Sequence, residues 1–196
     1  MYNVATKCLK KNFRKIMIKR LLFIIMFLGL FNNLFAKYDE LAYSHTFNSI
    51  SNEKINLIDY KNKVIVVVNV ASRCGYTPQY KDLQTLSDKY KENLVVIGIP
   101  SNNFKQEPGS NKEIKNFCET NFGITFPITE KLDVLGSNAH PFYKWAKKNH
   151  GIGAIPKWNF HKIVIGKNGK ILDTFASFTK PSSRKFINLI EREIRN

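Results

Sequence analysis

Cysteine is scarce in this chain, with three residues in 196. That excludes a disulfide scaffold, in which cysteine exceeds about 8% of a short secreted chain. The four histidines, His45, His140, His150 and His161, fall at no ligand spacing, so no metal site is expected. A membrane-spanning helix needs about 20 consecutive apolar residues. The longest run here, LLFIIMFLGLF, has eleven. Basic residues are not interleaved with aromatics along one face, which argues against a nucleic-acid partner. Repeats and low-complexity linkers are also missing. Nothing divides the chain, and its length suits one domain with a full hydrophobic core.

Acidic residues are absent from residues 1 to 36, while that stretch holds seven Lys or Arg. A basic region, the eleven-residue apolar run and the small Ala36 at the exit make a secretory signal. The reading is therefore a leader over residues 1–36 and a mature domain over residues 37–196. Met17 is the expected true start, because MIKRLLFIIMFLGLFNNLFA forms a compact signal by itself. The alternative is an uncleaved amino-terminal anchor. The expected location is the periplasm, with a eukaryotic secretory or plastid route as the alternative. Removing seven of the 31 basic residues leaves 24 against 15 acidic ones, so the formal charge falls from +16 to +9. A lysine-rich solvated surface accounts for that balance. Cys8 leaves with the leader, and the mature chain keeps Cys74 and Cys118. Two cysteines in an exported protein suggest a disulfide, structural or catalytic.

Hydrophobic patterning places the elements. HTFNSI and KINLI, separated by SNE, read as a small hairpin. KVIVVVNVA and LVVIGIP are continuous apolar runs, as in strands buried on both faces. Between them, Thr77 is placed to cap a helix with Pro78 at its first position. Tyr80, Leu83, Leu86 and Tyr90 form its apolar face. Ser110 and Glu113 make a capping-box pair that opens a second helix carrying Ile114, Phe117 and Cys118. ITFPI is a short extended piece, and HPFYKWAKKNHG is a helix ending at Gly151. Asn168-Gly169 turns a hairpin between HKIVIG and KILDTFA, and SSRKFINLIEREI closes as a helix. This order is α/β, in three layers around a central mixed sheet. It fits a thioredoxin-like fold with an N-terminal hairpin and one inserted helix.

Cys74 sits at the carboxyl end of the first core strand, just before a helix start. Unpaired N–H groups and the helix dipole at such a place favour an anion. The thiolate is the nucleophilic form of cysteine. In Cys74-Gly75-Tyr76-Thr77 a threonine occupies the second position of a Cys-X-X-Cys pair, so a local disulfide is impossible. A buried inert cysteine is the alternative.

NVASRCGYTPQY resembles the peroxidatic-site motif of the glutathione peroxidase family in its cysteine form. The resemblance continues through GIPSNNFKQEPGSNKEIKNFC, FGITFPI and KWNFHKIVIGKNGK, and covers nearly all of residues 40 to 195. It implies a peroxidase in which the Cys74 thiolate attacks a hydroperoxide and becomes a sulfenic acid. It places Trp158 and Asn159 beside the sulfur as N–H donors. Asn103 stands where the family carries its active-site glutamine, and Ser101 where it carries a cysteine. Asn103 is one methylene shorter, about 1.5 Å less reach, and the loop before Gln106 is one residue shorter. Gln106 is the alternative amide. Cys118 resembles the resolving cysteine of thioredoxin-dependent members, which forms a disulfide with the oxidised cysteine.

A disulfide needs α-carbons about 4.4–6.8 Å apart. The reduced protein is therefore expected to hold the two sulfurs apart, with the 111–121 helix unwinding locally to join them. The resemblance further implies no cofactor, a hydroperoxide substrate, and a thioredoxin-like protein or glutathione as reductant. The short segment between Gly136 and Lys157 implies a monomer. Three rival readings stand beside it: a thiol–disulfide exchange protein, a peroxide sensor using the same cysteine pair, and a basic membrane-surface protein.

Overall fold

The computed structural model describes residues 40–196. The expected leader over residues 1–36 and Cys8 lie outside the described residues. Two short strands come first, β1 (Thr46–Asn48) and β2 (Lys54–Asn56). They pair antiparallel with Phe47 opposite Ile55, the hairpin that the alternation in HTFNSI and KINLI foretells. Strand β3 (Val64–Val70) is buried at every residue, as is β4 (Leu94–Pro100). The two run parallel, with Val66 opposite Val96. Helix α1 (Gln79–Lys89) makes the crossover between them. Helix α2 (Asn111–Phe122) follows, then helix α3 (Pro141–His150). Strands β5 (Lys162–Ile165) and β6 (Ile171–Phe175) form the second hairpin, and helix α4 (Arg184–Arg195) ends the chain. The four-stranded sheet has the order β4-β3-β5-β6, with β5 antiparallel to both neighbours.

The period of two along β3 divides the core. Val64, Val66, Val68 and Val70 face a cluster built from Tyr80, Leu83 and Leu86 of α1, Ile114 and Cys118 of α2, and Phe186 and Ile190 of α4. Ile65 and Val67 face the other cluster, which holds Phe142 and Trp145 of α3 with Phe47 and Ile55 of the first hairpin. Helices thus cover both faces, which is why the strand reads as an unbroken apolar run. Each such side chain taken from water contributes about 1.5–3 kcal/mol. The mixed sheet and its flanking helices are the expected thioredoxin-like arrangement.

Local signals explain the helix limits. Ser110 and Glu113 form the expected capping box at α2, and Gly123 ends that helix at φ 59°. Left-handed backbone suits glycine there. The ITFPI piece lies along β4: Gly98 N–H donates to the Pro127 carbonyl and Thr129 N–H to the Gly98 carbonyl, each at 2.9 Å. A Cβ on Gly98 would stand 2.5 Å from Ile128 Cδ1, so any side chain there would push the Ile128 side chain aside. No helix among the described residues is long and apolar enough to cross a membrane.

One core position breaks the apolar pattern. Lys162, the first residue of β5, is fully buried. Its ammonium donates to Gln79 Oε1 and, at 2.8 Å, to the Thr179 carbonyl. Gln79 Nε2 in turn donates to the Ser177 carbonyl at 2.6 Å. The network ties the start of α1 and the 176–179 turn to β5. Burial pushes the lysine down from its usual 10.5 to about 7, and the Asp82 carboxylate pulls it back up. Between those two values the unfolded chain carries a proton that the folded chain lacks. The Lys162 contribution to unfolding free energy therefore rises with pH across roughly pH 7 to 10.5 and is lost as pH falls through the same window, while above about pH 9 the raised Cys118 thiol acts in the opposite direction. Denaturant titrations at a series of pH values should show this rise in the wild type and lose it in Lys162→Met. An unchanged slope in the variant would exclude Lys162 as its source.

Candidate active site

The eight residues after β3 carry the chain over the sheet end and back toward α1. Thr77 shapes this turn. Its hydroxyl donates to the Ala71 carbonyl at 2.8 Å and accepts from Cys74 N–H at 3.1 Å, while Thr77 N–H donates to the Cys74 carbonyl at 3.0 Å. The sequence assigns Thr77 to the helix cap. The structure corrects this: α1 starts at Gln79, directly after Pro78, without a side-chain cap. The hydroxyl instead bonds within the turn, to the Ala71 carbonyl and the Cys74 N–H. The turn aims a backbone group at the sulfur, for Tyr76 N–H donates to Cys74 Sγ at 3.4 Å. Cys74 is 8% exposed, and Gly75 beside it faces open space.

A second loop, 101–107, locks onto this turn. Ser101 N–H donates to the Val70 carbonyl at 3.2 Å, and Arg73 N–H to the Gln106 carbonyl at 3.0 Å. Glu107 is buried, and its Oε2 accepts from both Ser72 N–H at 2.7 Å and Ser72 Oγ at 3.0 Å. Burial pushes this carboxyl above its ordinary value, against the pull of the Ser72 bonds and the Lys131 and Arg73 charges. Glu107 is a clamp on the strand end. Lys105 at φ 57° gives the loop a left-handed corner that costs a non-glycine residue free energy.

The third segment, 157–161, is held by Asn69, a buried amide within the aliphatic strand. Asn69 Nδ2 donates to the Trp158 carbonyl at 3.1 Å, and its Oδ1 accepts from His161 N–H at 3.0 Å. Its backbone carbonyl accepts from Phe160 N–H at 2.6 Å, with Phe160 left-handed at φ 63°. Asn159 is fully buried, and its Nδ2 donates to Gln106 Oε1 at 2.8 Å. Its Oδ1 has no hydrogen-bond partner among the described residues. Trp158 is 42% exposed, so it is a rim residue and not core. Its indole packs on Phe104 with ring centroids 5.3 Å apart.

Asn103 lies elsewhere. Its Oδ1 accepts from Val134 N–H at 2.7 Å and Leu135 N–H at 3.2 Å, and its Nδ2 donates to Asp133 at 2.9 Å. This corrects the expectation that Asn103 supplies the amide beside the sulfur. The shortened loop turns that amide toward the 133–135 segment and brings Gln106 between the Cys74 turn and Asn159. Gln106 was legible as the alternative amide. The roles of Glu107 and Asn69 were not, although a lone amide in VIVVVNV is the signal for the second.

Cys118 lies in α2, 2% exposed, and both described cysteines are free thiols. Burial pushes its thiol up to about 11. The Tyr80 phenol opposes that shift, and the Glu107 and Glu119 charges add to it.

Asn69→Ala should leave the Trp158 carbonyl and His161 N–H unpaired. The expected loss is about 1–3 kcal/mol of stability, read by denaturant titration, with increased mobility of the Trp158 indole read by fluorescence anisotropy. Unchanged stability would show that the segment holds without the amide.

Comparison with known proteins follows the same residues. A family model described as glutathione peroxidase matches residues 42–147. Glutathione peroxidase-like peroxiredoxin 2 of Saccharomyces cerevisiae is 48% identical over 137 residues, 67% of this chain and 84% of that protein. Hydroperoxy fatty acid reductase gpx1 of a Synechocystis species is 40% identical over 156 residues, 74% of this chain and 92% of that protein. Among solved structures, the crystal structure of T. cruzi GPX1 superposes with a TM-score of 0.62 at 29% identity, covering 80% of this chain and 98% of that one. A thiol:disulfide interchange protein of Chlorobium tepidum superposes at 0.60 with 15% identity, covering 79% of this chain and 95% of that one, a likeness of fold alone.

Proposed function

The chain belongs to the glutathione peroxidase family and is a peroxidase, and from that premise we propose a thiol peroxidase cycle carried by Cys74. The Cys74 thiolate attacks the terminal oxygen of a hydroperoxide. The S–O bond forms as the O–O bond breaks, and the departing oxygen takes a proton to leave as water or an alcohol. Cys74 is then a sulfenic acid. Such a step needs a nucleophilic sulfur and donors for the developing oxyanion. The observation that carries this reading is the Tyr76 N–H on Cys74 Sγ, on a turn bonded directly to the Gln106 that holds Asn159. Gln106 and Asn159 supply amides, and Trp158 an indole N–H at the rim.

Cys118 resolves the sulfenic acid. Its sulfur attacks the Cys74 sulfur, the disulfide forms, and the hydroxyl leaves as water with the Cys118 proton. A dithiol of the thioredoxin type, or two glutathione molecules, then reduces the disulfide and is itself oxidised. Hydrogen peroxide and organic hydroperoxides are the substrates; the name of the Synechocystis relative supports the organic class. The protein acts as an exported monomer. The basic stretch and apolar run of residues 1–36 support export, and the short segment between Gly136 and Lys157 supports the monomer.

Peroxide turnover by the mature protein, recycled by thioredoxin or by glutathione, tests the scheme. Cys74→Ser should lose all turnover, at least a thousandfold by analogy with loss of a covalent nucleophile. Cys118→Ser should lose thioredoxin-linked turnover while its Cys74 still consumes one equivalent of peroxide. Full thioredoxin-linked activity in Cys118→Ser would remove that residue from the cycle.

A further inference from the structure

The loop between β4 and α2 is held near its start by one amide. Asn103 Oδ1 accepts from Val134 N–H and Leu135 N–H, and also from the hydroxyl of the buried Ser101 at 3.0 Å. Its Nδ2 donates to the Asp133 carboxylate at 2.9 Å. The support beneath it is itself fixed. Leu132 N–H donates to the Pro100 carbonyl at 3.0 Å, and the Asp133 carbonyl accepts from His140 N–H at 2.9 Å, at the start of α3. One side chain therefore joins the loop to a segment tied to both β4 and α3. Ser101 and Asn103 are two of this chain's departures from the family pattern, and the missing residue falls in the same loop.

Beyond that anchor the loop is tightly wound. Lys105 N–H donates to the Asn102 carbonyl at 2.9 Å, and Asn102 Oδ1 accepts from Glu107 N–H at 3.0 Å. Lys105 takes its left-handed corner here, a conformation that persists only where the surroundings hold it. Phe104 and Gln106 emerge on either side of the corner. Phe104 meets the Trp158 indole. Gln106 meets Arg73 N–H through its backbone carbonyl and Asn159 Nδ2 through its Oε1. With Oε1 engaged, the Nε2 hydrogens are the part of this amide left to serve a substrate.

We propose that Asn103 is a positioning residue for the peroxide step: bonded to Ser101 and to the 133–135 segment, it holds the shortened loop in the shape that sets the Gln106 amide beside the Cys74 turn. The proposal rests on the reading of Cys74 as the attacking sulfur and of Gln106 as a site amide. A carboxamide suits the place because it offers an acceptor to two consecutive N–H groups and a donor to a carboxylate at once. Alanine would take the acceptor from three donors and loosen the corner at Lys105. Misplacing a catalytic group by about 1 Å costs up to about a hundredfold in rate. Asn103 acts through Gln106 and does not itself touch the peroxide.

The test is a cycle of variants in the full mature protein, with the rate of single-turnover hydrogen peroxide consumption read by stopped flow. Gln106→Ala should slow it about a hundredfold, the scale of one lost oxyanion donor, and Asn103→Ala at least about tenfold. The two together should be no slower than Gln106→Ala alone, because they lie on one path. Asn103→Asp should also slow the reaction, by setting a second carboxylate against Asp133. Adding Asp133→Asn should restore it, since an amide then faces a carboxylate with the polarity reversed. That pair decides the matter even where Asn103→Ala fails to fold. Full additivity of Asn103→Ala and Gln106→Ala would overturn the proposal, as would a pair that fails to restore the rate. A merely structural role would lower stability and leave the rate per folded molecule unchanged, and that result would overturn it too. Peroxide consumption by Cys74→Ser, or a wild-type rate in Gln106→Ala, would instead overturn the underlying assignment, and this proposal with it.

Discussion

The candidate site depends on one buried side chain, the Asn69 amide in the central strand. Its carbonyl and amino groups bind two backbone groups of the 158–161 segment, and its own main chain binds two more backbone groups there, the Phe160 N–H and the His161 carbonyl. Strand β3 thus holds two things at once. It carries the Cys74 turn at its end, and it fixes the segment bearing Trp158 and Asn159. Because the amide lies in a low-dielectric interior, each of its bonds is stronger than in water and more costly to lose. Gln106 then joins the two parts from a third loop, by its backbone to Arg73 and by its side chain to Asn159.

Around this amide the protein keeps two ionisable groups in its interior. Glu107 and Lys162 are both buried, and neither forms an ion pair among the described residues. Each is satisfied by neutral partners: Ser72 for the carboxylate, and Gln79 with the Thr179 carbonyl for the ammonium. Burial disfavours the charged form of both. What they give in return is geometric. Glu107 fixes the strand end before Cys74, and Lys162 fixes the start of α1 after it, so the cysteine turn is anchored on both sides.

Most of the fold could be read from the residues, because it rests on pattern. The runs at 64–70 and 94–100, the Ser110–Glu113 pair and the Asn168-Gly169 turn each signal an element through local sterics or periodicity, and each element is present. The site was less legible because its polar side chains choose between partners distant in the chain. Thr77 has the right identity for a helix cap and bonds to Ala71 instead. Asn103 matches a motif position, yet its amide is taken by a segment thirty residues away. Lys162 looks like the polar member of an alternating strand, and only the position of Gln79 shows why it can be buried.

The pairing of β3 with β5 joins Ile65 to Ile165, positions a hundred residues apart. Such non-local pairing forms late, since the chain between must be closed first. A chain emerging from synthesis holds Cys74 long before it holds Trp158, Asn159 and Lys162. The setting of the Cys74 turn is therefore completed only with the last hairpin, and an incomplete chain carries the sulfur without it.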